Sequence, residues 1–306
     1  MGNVLICEGR RGGLDDRVLN MLVVQKFALE VMLYPACGDA SLRSVAEHYR
    51  ERSRLRGDGL GESLDRVFTI EDRNYRSRQV ADDSWRSDSR RFIWRRHEIE
   101  NYLLDFRVVA QVFENLCSYI PRSAALPTLA SQVDLLMQEL ARPMVEHFVG
   151  WLTYWQLVGR KKELVDLRFL HPDRRRPLRP ARYPDRQVWL EYLHQECARL
   201  CADCQTFCQA AEFDDLHIDR CYDRNLDRCT HCDFWEQGRY IEEMGGHELV
   251  SALLGHLNVS GIPISLGDFE TELLTVLDRL YEPGFYEVDD FKALADKLSP
   301  TKSEEI

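Results

Sequence analysis

Three acids in the first hundred residues stand where an α/β protein places its chemistry. Glu8 closes the apolar run Val4-Leu5-Ile6-Cys7. Asp72 follows the run Val67-Phe68-Thr69-Ile70, and Glu100 lies just past Phe92-Ile93-Trp94. Carboxylates gathered in this way make a hard, oxygen-rich site suited to Mg²⁺ or Mn²⁺. Such ions activate water and neutralise charge on a phosphodiester under attack. Each acid alone has an ordinary reading. Glu8 would be a strand-end acid, Asp72 a member of the turn-forming Asp-Arg-Asn-Tyr, and Glu100 a first-turn helix acid. Taken together, at strand ends in one α/β unit, they point to a metal site.

The elements that must position these acids are legible from periodicity. The short apolar runs at 4–7, 31–34, 67–70 and 92–94 read as buried strands. Amphipathic segments at 17–27 and 41–55 read as helices between them, the second capped by Asp39. Strands alternating with helices predict a mainly parallel α/β sheet, whose functional residues gather at the carboxyl ends of the strands. After residue 99 the pattern turns helical, at 99–116, 129–140 and 144–164, and again at 248–257 and 270–280. This divides the chain into an α/β segment (1–110), a helical region with a basic connector (111–187), a cysteine-rich segment (188–245) and a C-terminal helical segment (246–306).

Composition bounds what else the chain can be. Its 306 residues carry a net charge of −11, which argues against a general nucleic-acid coat protein. The charge is uneven: residues 160–186 hold 10 Lys/Arg against 4 Asp/Glu. Arg174, Arg175, Arg176, Arg179, Arg182 and Arg186 could guide a phosphate backbone, or equally form a solvated linker. Arg95 and Arg96, next to the acids in sequence, are better placed to hold a scissile phosphate. No apolar window is long enough to span a membrane, and the opening residues do not read as a secretion signal, so the expectation is a soluble, cytoplasmic protein. There is no Gly-x4-Gly-Lys-Ser/Thr phosphate loop, so any ATP hydrolysis must come from another chain.

Seven of the ten cysteines fall between Val188 and Trp235. Cys201-x-x-Cys204 and Cys229-x-x-Cys232 form two pairs that could hold a structural Zn²⁺. The 4-3-4 spacing of Cys197, Cys201, Cys204 and Cys208 fits a thiol-lined helix face as well.

The runs Val4-Leu5-Ile6-Cys7-Glu8-Gly9, Val67-Phe68-Thr69-Ile70-Glu71-Asp72-Arg73-Asn74 and Arg96-His97-Glu98-Ile99-Glu100-Asn101-Tyr102-Leu103-Leu104 together resemble the Toprim domain of OLD-family nucleases. More narrowly, they resemble the stand-alone Toprim effector nucleases of anti-phage systems, of the PARIS nuclease-subunit type. The resemblance covers about residues 3–105. It implies that Glu8, Asp72 and Glu100 bind the metal and that Asp72 and Asn74 match an Asp-x-Asp pair. Glu8, Asp72, Asn74 and Glu100 would then be the catalytic set. A further acid normally follows Glu-Gly within a few residues; here Gly12 and Gly13 intervene, so Asp15 or Asp16 would serve, Asp16 being the expected ligand. His247 stands where the family often has Lys, and would contact phosphate. The partners implied are nucleic acid (DNA or tRNA), an ABC-type ATPase that triggers the effector, and further copies of the chain. The contrasting reading is a non-catalytic interaction module on the same scaffold, motivated by Asn74 and His247.

Overall fold

A computed structural model describes residues 3–57, 66–86, 90–119, 126–159, 184–203, 215–281 and 289–299. The chain forms two compact units. The first joins residues 1–134 with 246–306, and the second comprises residues 135–245. The C-terminal helical segment thus belongs to the same unit as the sheet, although more than a hundred residues separate them in sequence.

The first unit is built on four strands, β1 (Asn3–Cys7), β2 (Val31–Pro35), β3 (Val67–Glu71) and β4 (Arg91–Ile93), all parallel in the order β2-β1-β3-β4. The expectation of a mainly parallel α/β sheet is met. Leu5 and Ile6 are fully buried, as a strand covered on both faces requires. Helix α1 (Leu14–Leu19) continues without a break into a π-helical stretch, Asn20–Gln25, burying Leu14, Val18, Leu19, Leu22 and Val23. Helix α2 (Asp39–Gly57) seats Leu42 and Ala46 against Val4, Ile6 and Val67. Helix α3 (Arg78–Arg86) is tied to β4 by Trp85, whose indole donates to the Ile93 carbonyl at 2.7 Å, and by Ser84, whose hydroxyl accepts from the Ile93 amide at 3.0 Å.

The run expected as one helix from Ile99 to Leu116 is two: the single turn α4 (Glu100–Leu103) and α5 (Phe106–Tyr119). Asp105 starts the second, accepting the Arg107 amide at 2.9 Å. Helix α6 (Ala130–Ala141) leads into the second unit, where α7 (Val145–Tyr154), α8 (Arg186–Asp203) and α9 (Asp215–Thr230) pack together, followed by α10 (Cys232–Glu236) and α11 (Arg239–Glu243). Gly150 is required there: a β-carbon would lie 1.9 Å from the Trp189 indole. Asn225, buried between these helices, donates to Thr153 Oγ1 and to Gln156 Oε1, both at 3.0 Å, so its amide is paired.

The first unit then resumes with α12 (Gly246–Val259), α13 (Leu266–Leu280) and α14 (Asp289–Leu298). Helices α12 and α13 pack on α4, and α14 packs on the π-helical stretch. The buried Asp290 carboxylate accepts from both Tyr102 and Arg95, and Arg17 reaches Glu270 at 2.7 Å. No helix among the described residues is long and apolar enough to cross a membrane.

Candidate metal centre

The strand order places the site. From β1 the chain moves to β2 on one side, and later returns to β3 on the other. In an open parallel sheet such a reversal makes the region beyond the carboxyl ends of β1 and β3 the usual ligand position. Cys7 pairs with Ile70, so Glu8 leaves β1 level with Glu71 and one step before Asp72.

Adjacent acids have opposite roles. Glu71 is still in β3, is 1% exposed, and carries ion pairs to Arg91 at 2.5 Å and Arg76 at 3.1 Å. It is a structural acid. Asp72, the next residue, is half-buried and its carboxylate has no such ion pair among the described residues. Its Oδ1 is buried and has no hydrogen-bond partner. Burial raises its pKa well above the usual carboxylate range, and the charges of Asp15, Glu8, Glu100 and Glu98 raise it further.

The acid that joins through the loop after β1 is Asp15. Gly9 makes this possible: a β-carbon there would lie 2.6 Å from Asp15 Oδ2. Asp16, the expected ligand, instead accepts the Gly12 amide at 2.8 Å and fastens its own loop. The inserted glycines account for the difference. Gly12 adopts a positive φ of 72°, and its amide is turned back onto Asp16. Burial raises the Asp15 pKa, and Asp16 adds to the rise.

Glu100 opens α4, and its pKa is pushed up to about 8 by burial, then by Glu98, Asp15 and Glu270. Glu98 was not singled out in the sequence. It accepts the His247 amide at 3.1 Å, so its carboxylate caps the N-terminus of α12. Burial raises its pKa, Glu248 also raises it, and the amides at the helix start oppose the rise. Only the sequence-distant pairing of α4 with α12 reveals this role.

Asn101 holds the junction. It is fully buried, and its side-chain carbonyl accepts the Glu98 amide at 2.8 Å. A β-carbon on Gly246 would lie 2.7 Å from that same oxygen and 2.8 Å from Glu100 Cβ. Asn74 also serves geometry. Its φ is +51°, a region Asn tolerates better than most residues, and its amide donates to the His97 carbonyl at 2.9 Å. Its side chain reaches back to the Asp72 carbonyl at 3.5 Å, within its own turn. His97 is buried, and desolvation together with Arg73 lowers its pKa to about 3, so it is a neutral ring packed edge-on to Tyr75. The loop after β3 is thereby fastened to the loop after β4, which fixes Asp72 relative to Glu98 and Glu100.

The residues expected to hold phosphate are placed differently. Arg95 bonds Asp82 at 2.9 Å, pairs with Asp290 and stacks on Trp85. Arg96 donates to the Asn101 carbonyl at 2.6 Å and stacks on Tyr102. Both guanidiniums are engaged by the fold. His247 is exposed at the start of α12, and the amide it offers there is taken by Glu98.

Among the described residues, no three of the strand-end acids present oxygens within 4.8 Å of one another. Carboxylate oxygens as a donor type suit an ion that keeps several waters and takes one or two carboxylates directly, as Mg²⁺ does. Glu8, Asp72 and Asp15, with Glu100, fit such an ion on the chemistry of the donors. All are oxygen ligands, the other three raise the Asp72 pKa, and one buried oxygen, Asp72 Oδ1, lacks a donor.

Of the cysteines expected to bind zinc, Cys204 lies outside the described residues, as does the basic connector at 160–183. Cys229 is buried, and burial raises its thiol pKa to about 12. The group of soft-metal donors that converges among the described residues is His231, Cys232 and Asp233, without Cys201 or Cys229. No protein-family model and no curated protein matches the sequence.

Proposed function

We propose that the chain is a divalent-metal-dependent nuclease of Toprim type, an endonuclease acting on DNA or RNA with tRNA among its candidate substrates. It would be the effector of an anti-phage defence system and be controlled by an ABC-type ATPase partner. One observation carries the enzymatic part. Acids from the ends of β1 and β3 and from α4 converge at the switch point of a parallel sheet, and the charges acting on Asp72 there are negative. The resemblance to OLD-family Toprim proteins supports the reaction class and supplies the defence setting and the ATPase.

In this reading Glu8 and Asp72 hold Mg²⁺ or Mn²⁺, with Asp15 and Glu100 beside them. The ion, when bound, supplies Lewis acidity toward a phosphodiester. The protein supplies position. Gly9 admits Asp15, Asn101 fixes the Glu98 peptide, and the pairing of Asn74 with His97 holds the Asp72 turn. Glu100, with its pKa near neutrality, can exchange a proton during attack or departure of the leaving oxygen. The test is cleavage of plasmid DNA and of tRNA with Mg²⁺ or Mn²⁺, wild type against Glu8→Ala. Cutting by wild type alone supports the assignment, and equal cutting by both removes it.

The second reading, a non-catalytic module that docks on an ATPase, draws on Arg95 and Arg96. Their guanidiniums are spent on Asp82, Asp290 and Asn101 rather than offered to a phosphate. Co-purification with an ATPase encoded beside it, with no nuclease activity in the complex, would favour that reading.

A further inference from the structure

The second unit carries a separate cluster of metal donors. His231, Cys232 and Asp233 are consecutive and exposed, and each offers one ligand atom within 4.8 Å of the other two. Cys232 Sγ lies 3.8 Å from His231 Nδ1 and 3.8 Å from Asp233 Oδ1, and His231 Nδ1 lies 3.6 Å from Asp233 Oδ2. Zinc bonds of about 2.3 Å to sulfur and about 2.0 Å to nitrogen and oxygen, at tetrahedral angles, require donor separations of about 3.3–3.6 Å. These contacts are at most a few tenths of an ångström wider, and the two to Asp233 are made by different carboxylate oxygens. A turn of that carboxylate is therefore needed to present one oxygen to an ion held by the other two donors, all three ligand atoms already lying within 4.8 Å of one another.

We infer that His231, Cys232 and Asp233 form a surface site for a borderline first-row cation of the Zn²⁺ class, with a coordination position left open to water. This site is independent of the strand-end carboxylates and of the nuclease reading.

Local structure explains why the donors sit together. His231 has extended backbone (φ −62°, ψ 143°) and caps α10, so the chain turns sharply between its side chain and those of the first helical turn. The Asp233 amide donates to His231 Nδ1 at 3.3 Å, which holds the imidazole over that turn. This bond is long, and a metal on Nδ1 would replace it. A helix start disfavours a cation, but α10 is only five residues long and Asp233 brings a full negative charge to the same turn. The donor set selects the ion. One imidazole, one thiolate and one carboxylate suit Zn²⁺ or Co²⁺, whereas the all-oxygen strand-end acids suit Mg²⁺ or Mn²⁺. Cys229, three residues before Cys232, is turned into the core and takes no part.

The test is titration of the full chain with Co²⁺ in excess Mg²⁺, following the near-ultraviolet thiolate-to-cobalt band, in wild type, Cys232→Ser, Cys229→Ser, His231→Ala and Asp233→Asn. All four substitutions except Cys229→Ser are at exposed side chains and leave the core intact. The site predicts a band in wild type and Cys229→Ser, none in Cys232→Ser, and affinity weakened about tenfold or more in His231→Ala and Asp233→Asn. A band that persists in Cys232→Ser, or His231→Ala and Asp233→Asn binding like wild type, overturns it. So does a wild-type chain with no band.

Discussion

Gly9 and Asp15 are in such close contact that only hydrogen fits between the Gly9 α-carbon and the Asp15 carboxylate; a β-carbon there would lie 2.6 Å from Oδ2. Gly9→Ala should therefore cost about 1–3 kcal/mol by overpacking. Asp15→Ala in the same chain removes the carboxylate but keeps the Asp15 β-carbon, 2.7 Å from the new methyl, so it should recover only part of that loss. Urea denaturation of the two single variants and the double variant reads the coupling directly. Simple addition of the two single effects would mean that the contact is not what constrains Gly9.

Asp72 is a half-buried carboxylate with one buried oxygen and other acids around it, so its charge works against the metal-free fold. Asp72→Asn keeps the shape and removes that charge. The variant should melt at or above the wild-type temperature without divalent cation and lose the stabilisation that Mg²⁺ gives wild type. A binding site commonly trades stability for function in this way. Thermal melts with and without Mg²⁺ check it, and a marked drop in the metal-free melting temperature would count against the electrostatic reading.

Glu100 predicts a pH dependence. Burial and its acidic neighbours raise its pKa from 4.5 to about 8. The folded chain thus holds this proton more tightly than the unfolded chain. The resulting stability is fully present below about pH 4.5 and is lost as pH rises through about 8. Metal binding needs the deprotonated form, so stabilisation by Mg²⁺ should grow over the same window. Melting temperatures at about pH 6 and about pH 9, with and without Mg²⁺, measure both trends. A Mg²⁺ effect that is the same at both pH values would contradict the role of Glu100.

Asn101 and Gly246 tie the acid-bearing turn to the returning helix. Asn101→Ala leaves the Glu98 amide without its acceptor, at a cost of about 1–3 kcal/mol. Gly246→Ala forces a methyl against Asn101 and Glu100, with a loss of similar size. Hydrogen exchange at the amides of α4 and the start of α12 should accelerate in both variants. Unchanged exchange in α12 would show that the junction is not what holds it.

Much of this arrangement follows from short-range pattern. Apolar runs of four residues ending in Glu8, or running on through Glu71 to Asp72, mark strands covered on both faces, and the carboxyl ends of parallel strands are where ligands bind. Asp15 was harder to separate from Asp16, because only the Gly12 turn shows which carboxylate is spent on its own loop. Glu98 and its contact with the His247 amide were hidden for a different reason. That contact depends on α12 returning to the sheet after the whole second unit, and local periodicity carries no record of that return. Arg95 and Arg96 looked like phosphate ligands from proximity alone. Asp290, nearly two hundred residues away, takes up Arg95, and the Asn101 carbonyl takes up Arg96. The four-residue α4 was absorbed into a longer helix because Asp105 begins the next helix without any change in apolar pattern.

The most direct measurement is a crystal structure of the full chain grown with Mn²⁺, with the ion located by its anomalous scattering. The account predicts a Mn²⁺ peak beyond the ends of β1 and β3, ligated by Asp72 and Glu8 and flanked by Asp15 and Glu100. No Mn²⁺ there at saturating concentration, or Mn²⁺ bound only elsewhere on the chain, would contradict it.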